Sequence, residues 1–210
     1  MQTSPANPRT ARLAVAISGN GTLLQALMDA CAAKILDAEI ALVLSTNHHA
    51  YGLTRARNAG IATVVVPKND FPDAVACARA RHEALVAAKP DLIVLAGFLG
   101  MLGPQTVAAF PRRVINTHPA LLPAFGGKGM FGRHVHEAVI ASSAKQTGCT
   151  VHLVDEHYDH GEILAQAAIP VLAGDTPEIL AARLSPVESA LLVKTVGQIL
   201  NLQISKSPNV

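Results

Sequence analysis

The segment Asn116-Thr117-His118-Pro119 carries two side chains that could assist a reaction at a carbonyl group. The amide of Asn116 can donate a hydrogen bond to an oxygen that gains negative charge. The imidazole of His118, with an ordinary pKa of about 6.5, can move a proton near neutral pH. On an extended segment the two side chains face the same side. The alternative is a polar strand end with a capping Asn and a surface His.

A second segment, Gly19-Asn20-Gly21-Thr22, is a glycine turn that leads into a helical pattern. Backbone N–H groups at a helix N-terminus, together with the positive end of the helix dipole, bind phosphate. A dinucleotide fingerprint does not fit, because its third glycine would stand at Leu24, and no Gly-Lys-Ser/Thr follows as a P-loop requires. We expect a phosphate or phosphosugar site here. The alternative is a tight strand–helix turn that binds nothing.

The segment from Asp155 to Gly161 (DEHYDHG) is dense in carboxylates and imidazoles. It lacks the HExxH spacing and the clustered pattern of a metal site, so we expect no metal. A carboxylate from this segment could instead orient His118 and stabilise its charged form. Sequence spacing alone does not show which carboxylate that is.

Apolar runs that alternate with amphipathic stretches predict the elements that position these residues. The predicted strands are Leu13–Ile17, Ile40–Leu44, Ala62–Val66, Leu92–Ala96 and Arg113–Asn116, then an antiparallel pair, Thr150–Val154 and Glu162–Val171. The predicted helices follow Gly21, cover Tyr51–Ala59, Asp73–Ala88 and Val135–Ala141, and start near Pro177. Strands alternating with helices indicate an α/β fold, a mostly parallel central sheet with helices on both faces.

In an open parallel sheet, ligands bind at the carboxyl ends of the strands, where the strand order reverses. The common order 3-2-1-4-5 brings three segments together: Ser18–Thr22, Phe98–Leu102 and Asn116–Pro119. Farther along the chain, Ser185-Pro186-Val187-Glu188 has the pattern of a capping box with proline at the first helical position. We therefore expect the last helix to kink or restart there, which by itself accounts for Glu188.

Length and composition indicate one domain, residues 1–210, with tails at 1–11 and at about 203–210. The net charge of +2, with seven Phe and Tyr and no Trp, argues against nucleic-acid binding. The chain has no apolar run of the roughly 20 residues that a membrane span needs, and residues 1–11 lack the apolar core of a signal peptide, so we expect neither. Three widely spaced cysteines predict reduced thiols in a cytoplasmic protein: Cys31, Cys77 and Cys149.

Five segments together resemble the folate-dependent phosphoribosylglycinamide formyltransferases of purine (IMP) biosynthesis. They are ISGNGT at the first turn, LAGFLGML at Leu95–Leu102, NTHPALLP at Asn116–Pro123, FGGKGMFGRHVHEAV at Phe125–Val139 and GCTVHLVDEHYDHGEILAQ at Gly148–Gln166. The resemblance covers about residues 12–200. It implies the Rossmann-like formyltransferase fold and transfer of a formyl group from 10-formyltetrahydrofolate, as co-substrate, to the amine of glycinamide ribonucleotide. It implies no metal, and a monomer or a homodimer.

The resemblance also implies roles for single residues. Asn116 matches the residue that stabilises the tetrahedral oxyanion, His118 the residue that helps to carry its proton, and Asp159 the carboxylate that supports the His. The substrate-binding positions are Gly19, Asn20, Gly21 and Thr22 for the phosphate and Glu188 for the ribose. The folate-binding positions are Leu99, Gly100, Met101, Leu102, Val154 and Asp155.

Four residues depart from the family pattern. Thr22 and Leu23 stand where the family usually has Ser-Asn, Gly100 replaces a basic residue, and Ala74 stands where an Arg is expected. Losing two cations should weaken anion binding, since charge-assisted contacts are the strong ones. Compensation could come from Arg79, Arg81 or Lys128.

Three rival functions remain at this stage. Another amine acceptor, such as methionyl-tRNA or an amino-sugar nucleotide, would keep the chemistry, but those relatives carry extra domains and a different first loop. A formyltetrahydrofolate hydrolase would be expected to have an N-terminal regulatory domain. A non-catalytic nucleotide- or folate-binding homologue would keep only the fold, and the intact Asn116, His118 and Asp159 argue against it.

Overall fold

The computed structural model describes residues 9–206, with the backbone alone for residues 203–206. Residues 1–8 and 207–210, which belong to the expected tails, lie outside this range. The remaining parts of those tails differ from expectation. Ala11 already belongs to the first strand, and the last helix continues to Lys206.

Seven strands and six helices make up the described part of the chain, and they alternate except that the last two strands are consecutive. The strands are β1 (Ala11–Ile17), β2 (Ala38–Ser45), β3 (Thr63–Val65), β4 (Leu92–Leu95), β5 (Val114–His118), β6 (Gln146–Leu153) and β7 (Ile163–Pro170). The helices are α1 (Thr22–Ala32), α2 (Tyr51–Asn58), α3 (Ala74–Ala88), α4 (Pro104–Ala109), α5 (Arg133–Ala141) and α6 (Pro177–Lys206), with a 3-10 turn at Lys68–Asp70. The short helix α4 was not expected.

The sheet has the order β3-β2-β1-β4-β5-β6-β7, and β1 to β5 run parallel. The order 3-2-1-4-5 and the antiparallel pairing of β6 with β7 are therefore confirmed. Strand β6 also runs antiparallel to β5, which places Asn116 opposite His152. That register matters, because directly opposed side chains on one face of a sheet are in contact.

The central strands are buried on both faces, which explains their uninterrupted apolar sequences. In β1, Leu13, Val15 and Ile17 belong to one core cluster, which also contains buried residues of α1 and α6. Ala14 and Ala16 belong to the second cluster, on the opposite face, with Leu85 of α3. Helices thus cover both faces, as expected, and the sheet edge that carries the loops stays open.

Helix α6 is continuous from Pro177 to Lys206, with Pro186 inside it. The expected capping box is therefore wrong, and the helix does not restart at Ser185. Pro186 has no N–H for the carbonyl of Ala182, which costs one hydrogen bond on an exposed stretch. Packing explains why the helix persists, since Leu180, Leu184 and Leu192 on either side are fully buried. Within residues 9–206, no helix has the length and hydropathy of a membrane span.

The loops after β1, β2 and β4 are joined by side-chain hydrogen bonds. The Ser18 hydroxyl accepts from the Leu99 N–H at 2.7 Å and shares a 2.5 Å hydrogen bond with the Thr46 hydroxyl. The order of the sheet brings these segments together although 81 positions separate Ser18 from Leu99. The carboxyl ends of the strands therefore form one connected rim.

Candidate active site

A cavity of about 1180 Å³ opens at this rim. All three segments that were expected to converge contribute to its wall, represented by Thr22, Leu99 and His118. The segment from Val154 to Asp159 and Glu188 of α6 line it too. Exposed apolar side chains on its wall, Leu99, Met101, Phe131 and Tyr158, offer a surface suited to a flat aromatic ligand.

Asn116 lies at the end of β5 and points its amide into a cluster of polar side chains. Its Nδ2 donates to His152 Nε2 at 3.0 Å and to Asp159 Oδ1 at 3.3 Å. His152 can accept at Nε2 because its Nδ1 donates to the Leu153 carbonyl at 2.8 Å. The cross-strand neighbour thus fixes the orientation of the Asn116 amide.

His118 is almost completely buried, with its side chain 4% exposed. Its Nε2 donates to the Phe125 carbonyl at 2.7 Å, and its Nδ1 lies 3.5 Å from Asp159 Oδ2. Burial lowers the pKa of His118 below its ordinary value, an effect that Asp159 and the Phe125 carbonyl oppose. At neutral pH the imidazole is therefore uncharged, and Nδ1 is the atom free to accept a proton.

Asp159 is the common partner of this cluster. Besides Asn116 and His118, its carboxylate receives the Gly127 N–H at 3.0 Å and lies 3.6 Å from His152 Nε2. Burial alone would raise the pKa of Asp159, but the interactions with His152, the Gly127 N–H and His118 outweigh it, so the pKa lies below its ordinary value. Asp159 is ionised at neutral pH and can stabilise a positive charge on His118.

The backbone around the cluster is strained in two places. Asp159 has φ +54 and Phe125 has φ +56, a region that residues other than glycine seldom adopt. Gly126 follows Phe125, and a Cβ there would come within 2.5 Å of Leu122 Cδ2 and 3.3 Å of Asp159 Cβ. A side chain at residue 126 would therefore crowd Leu122 and Asp159 and require them to shift.

The loop after β1 directs its carbonyl groups into the protein. The carbonyls of Gly19, Asn20 and Gly21 accept from the Gly52 N–H, the Arg55 guanidinium and the Gln25 N–H, respectively. No hydrogen bond from the N–H groups of residues 20–23 occurs within the described part of the chain. Helix α1, which has no side-chain cap, starts at Thr22. Free N–H groups at the N-terminus of an 11-residue helix can bind an anion.

Glu188 projects from α6 into the same cavity. Burial raises the pKa of its carboxyl group to about 7, although the hydroxyl of Thr117 opposes this effect. The group can therefore accept hydrogen bonds at neutral and alkaline pH. A helix cap does not account for Glu188, since α6 has no start at Ser185.

The chain is similar to known proteins of one family. The model of the family described as formyl transferase matches residues 11–196. The chain belongs to the formyl transferase family. It is 41% identical over 187 residues to phosphoribosylglycinamide formyltransferase of Mycobacterium tuberculosis (strain H37Rv), covering 89% of this chain and 84% of that one. The crystal structure of phosphoribosylglycinamide formyltransferase from Brucella melitensis has 42% identity and a TM-score of 0.82, with 90% and 95% of the two chains covered.

A plant relative is similar over a smaller part of its own length. The chloroplastic phosphoribosylglycinamide formyltransferase of Arabidopsis thaliana is 40% identical over 193 residues, which make up 91% of this chain. The chain spans 66% of the length of the Arabidopsis relative and 60% of that of the Vigna unguiculata relative. The resemblance to phosphoribosylglycinamide formyltransferases and the expected fold are confirmed.

The structure places the predicted site residues of the chain in one region. Asn116 and His118 both contact Asp159. Asn20, Thr22 and Glu188 line the cavity, whereas Gly19 and Gly21 shape the turn behind it. All six folate-binding positions line the cavity: Leu99, Gly100, Met101, Leu102, Val154 and Asp155.

Of the three cations that could replace the two missing from the family pattern, the structure leaves one at the cavity. Arg81 is buried and donates to the carbonyls of Val66 and Met101. Arg79 is exposed and lies 4.0 Å from Glu83. Lys128 alone of the three lines the cavity, and its ammonium group has no partner within the described residues.

Three residues near the cavity were missed by sequence reasoning. His152 orients Asn116, and its position opposite Asn116 depends on an antiparallel register that no local pattern announces. Arg55 of α2 donates to the Asn20 carbonyl at 2.9 Å, a contact between a helix and a separate loop that the helical pattern alone does not reveal. His136 is buried in the cavity wall, where burial lowers its pKa, as does His118 when it is protonated.

Proposed function

We propose that this formyl transferase moves the formyl group of 10-formyltetrahydrofolate to the amine of glycinamide ribonucleotide, a step of purine biosynthesis. The observation that carries the proposal is the meeting of an oxyanion donor, a proton acceptor and a carboxylate in one cavity with free helix N–H groups. The names of relatives at 36–42% identity support this choice of substrates.

The reaction needs no covalent intermediate with the protein. The acceptor amine attacks the formyl carbon, a new C–N bond forms, and the carbonyl oxygen becomes an oxyanion. The bond from that carbon to N10 of the folate then breaks, and the proton lost by the amine is returned to N10. Holding the two substrates together in one cavity supplies much of the rate enhancement.

Asn116 stabilises the oxyanion in this proposal. Both of its amide hydrogens already have acceptors in the described structure, so the oxyanion must displace one of them. The 3.3 Å bond to Asp159 is the longer of the two and is the one that yields, while the 3.0 Å bond to His152 keeps the amide in position. One such donor contributes a factor of about 10²–10³ to kcat.

His118 carries the proton through Nδ1. Because burial lowers its pKa, the imidazole is neutral and ready to accept the amine proton. Asp159, 3.5 Å away, stabilises the imidazolium that forms, and the Phe125 carbonyl holds Nε2 and so fixes the tautomer. His118 then delivers the same proton to the leaving N10.

The remaining predicted residues hold the substrates. The free N–H groups at the start of α1 bind the phosphate, with Gly19, Asn20, Gly21 and Thr22 forming the loop, and Glu188 accepts hydrogen bonds from the ribose. The pteridine rests on the apolar wall formed by Leu99, Gly100, Met101, Leu102, Val154 and Asp155. Lys128 supplies a cation for one of the anionic groups. The chain acts as a single domain in a reducing, cytoplasmic compartment, which its three free thiols support.

An absorbance assay that follows loss of 10-formyltetrahydrofolate tests this function. We expect loss of the donor only when glycinamide ribonucleotide is present, and this loss should be about 10²–10³-fold slower with Asn116→Ala. Loss without the nucleotide would indicate a hydrolase instead. No loss under either condition, with the protein folded by circular dichroism, would indicate another acceptor or a binding protein.

A further inference from the structure

The loop between β6 and β7 brings together three potential metal ligands that lie outside the Asn116–His118–Asp159 cluster. The ligand atoms of Asp155, His157 and His160 all lie within 4.8 Å of one another. His160 Nδ1 is 3.0 Å from Asp155 Oδ2, and His157 Nδ1 is 4.0 Å from Asp155 Oδ1. The expectation of no metal depended on motif spacing, which did not predict this arrangement.

We propose that Asp155, His157 and His160 form a binding site for a transition-metal ion of the Zn²⁺ type. Two imidazoles and one carboxylate are a donor set that suits zinc and its neighbours better than Mg²⁺ or Ca²⁺, which prefer oxygen ligands. Zinc lies about 2.0–2.2 Å from each ligand, so its ligand atoms are roughly 3–3.5 Å apart. The ligand atoms now lie up to 4.8 Å apart, so side-chain rotation on binding has to close a gap of roughly 1–2 Å.

The surroundings of the three residues leave room for the ion and for water. The side chains of His157 and His160 are 77% and 76% exposed, and that of Asp155 is 38% exposed. Water can therefore complete a four-coordinate shell around three protein ligands. The base of the loop is closed by the 2.9 Å hydrogen bond from the Leu153 N–H to the Glu162 carbonyl, and the Asp155 carboxylate holds the His157 N–H at 2.8 Å. The ligands thus belong to one short, tied segment.

Titration of the untagged, chelator-treated full chain tests the site without using activity. We expect one Zn²⁺ per chain by calorimetry and one Co²⁺ per chain by its visible absorption bands, with no competition from Mg²⁺ at the same concentration. Affinity should fall about tenfold or more in His157→Ala and in His160→Ala, because loss of even an outer partner of a ligand costs about 10–100-fold. Zinc should also raise Tm of the wild type and not of these variants.

Two control variants separate this site from other donors. His48→Ala removes an exposed imidazole that faces one carboxylate, Asp70, at 2.8 Å, and Cys31→Ser removes a half-buried thiol. Both should bind Zn²⁺ within about twofold of the wild type if the three loop residues hold the ion. Unchanged affinity in the His157 and His160 variants, loss in a control, or no stoichiometric binding would each overturn the proposal.

A metal at this site should also affect the cavity, because Asp155 and His157 belong to both. This consequence rests on the proposed function, whereas the site itself does not. We expect Zn²⁺ to raise KM for 10-formyltetrahydrofolate in the wild type and to leave it unchanged in His160→Ala. Stoichiometric binding with no change in KM would remove the link to the folate and leave the site in place. A protein that binds zinc but transfers no formyl group would contradict the function alone.

Discussion

The loop after β1 and the loop between β6 and β7 both face the cavity, but they present different atoms to it. The first presents backbone N–H groups, because its carbonyls are bonded to Gly52, Arg55 and Gln25. The second presents side chains, above all Asp159, held by a backbone at φ +54. A backbone site tolerates substitutions that preserve the turn, whereas a side-chain site depends on the identity of single residues. The departures from the family pattern at Thr22 and Leu23 lie in the loop after β1, where such substitutions are tolerated.

The largest effect should come from a substitution in the loop between β6 and β7, which presents side chains to the cavity. Asp159→Asn keeps the shape of the residue but removes the charge that stabilises His118, so we expect kcat to fall about 10²–10³-fold with little change in KM for the nucleotide. Steady-state kinetics measure this. Glu162→Gln is the matched control, since it makes the same charge change at an exposed ion pair with Arg112 and should retain wild-type kcat. Equal rates in the two variants would remove the distinction between the loops.

The loop after β1 should lose affinity for the nucleotide only when its turn is altered. Gly21 has φ +68, and a Cβ there would lie 2.7 Å from Gly52 Cα, so Gly21→Ala must displace the N–H groups. Losing one charge-assisted hydrogen bond, about 1.5–3 kcal/mol, raises KM for the nucleotide about 10–100-fold.

Gly60→Ala is the control for the glycine substitution. Its φ is +70, and a Cβ there meets open space, so it carries the backbone strain of about 1–2 kcal/mol without the clash. It should lower stability and leave KM unchanged. A similar KM in both variants would show that phosphate does not bind to this loop.

Glu188 should make stability depend on pH. Its folded-state pKa of about 7 is raised by burial, so the stabilising contribution is complete below about pH 4.5 and is lost as the pH rises through about 7. In Glu188→Gln this loss, about 1–3 kcal/mol, should disappear, so the variant becomes the more stable protein at pH 8. Urea unfolding at pH 5 and pH 8 measures the difference. If the free energy of unfolding changed equally with pH in the wild type and in Glu188→Gln, this would contradict the burial of the Glu188 carboxylate.

The smallest effect is expected at Thr22. Thr22→Val removes the hydroxyl but keeps the backbone N–H, so KM for the nucleotide should change about threefold or less. Initial-rate measurements against Gly21→Ala make the comparison direct. A change as large as that of Gly21→Ala would show that the first loop also depends on its side chains.

The sequence predicted those features that follow from local patterns. Apolar runs indicated the parallel strands, and the strand order placed Ser18, Leu99 and Asn116 at one rim, where the structure has them. The common orientation of Asn116 and His118 followed from the period of a strand. The match of Asp159 depended on the resemblance, because spacing does not tell which acid of the loop reaches His118.

Long-range packing accounts for what the sequence did not predict. The pattern at Ser185 has the form of a helix start, yet buried leucines before and after it keep α6 continuous. His152 and Arg55 act through partners 36 and 35 positions away, and such contacts depend on register and helix placement. Arginine is usually found at the surface, but Arg81 is buried and donates to a backbone carbonyl, that of Val66. Only the fold determines this contact.

The pH dependence of single-turnover formyl transfer tests the pairing of His118 with Asp159 most directly. The wild-type rate should rise with pH and level off below the ordinary histidine value of about 6.5, since burial lowers the pKa of His118. Asp159 opposes that effect, so in Asp159→Asn the acidic limb should move to still lower pH while the plateau falls. An acidic limb that keeps its wild-type position in Asp159→Asn, or moves to higher pH, would contradict the account.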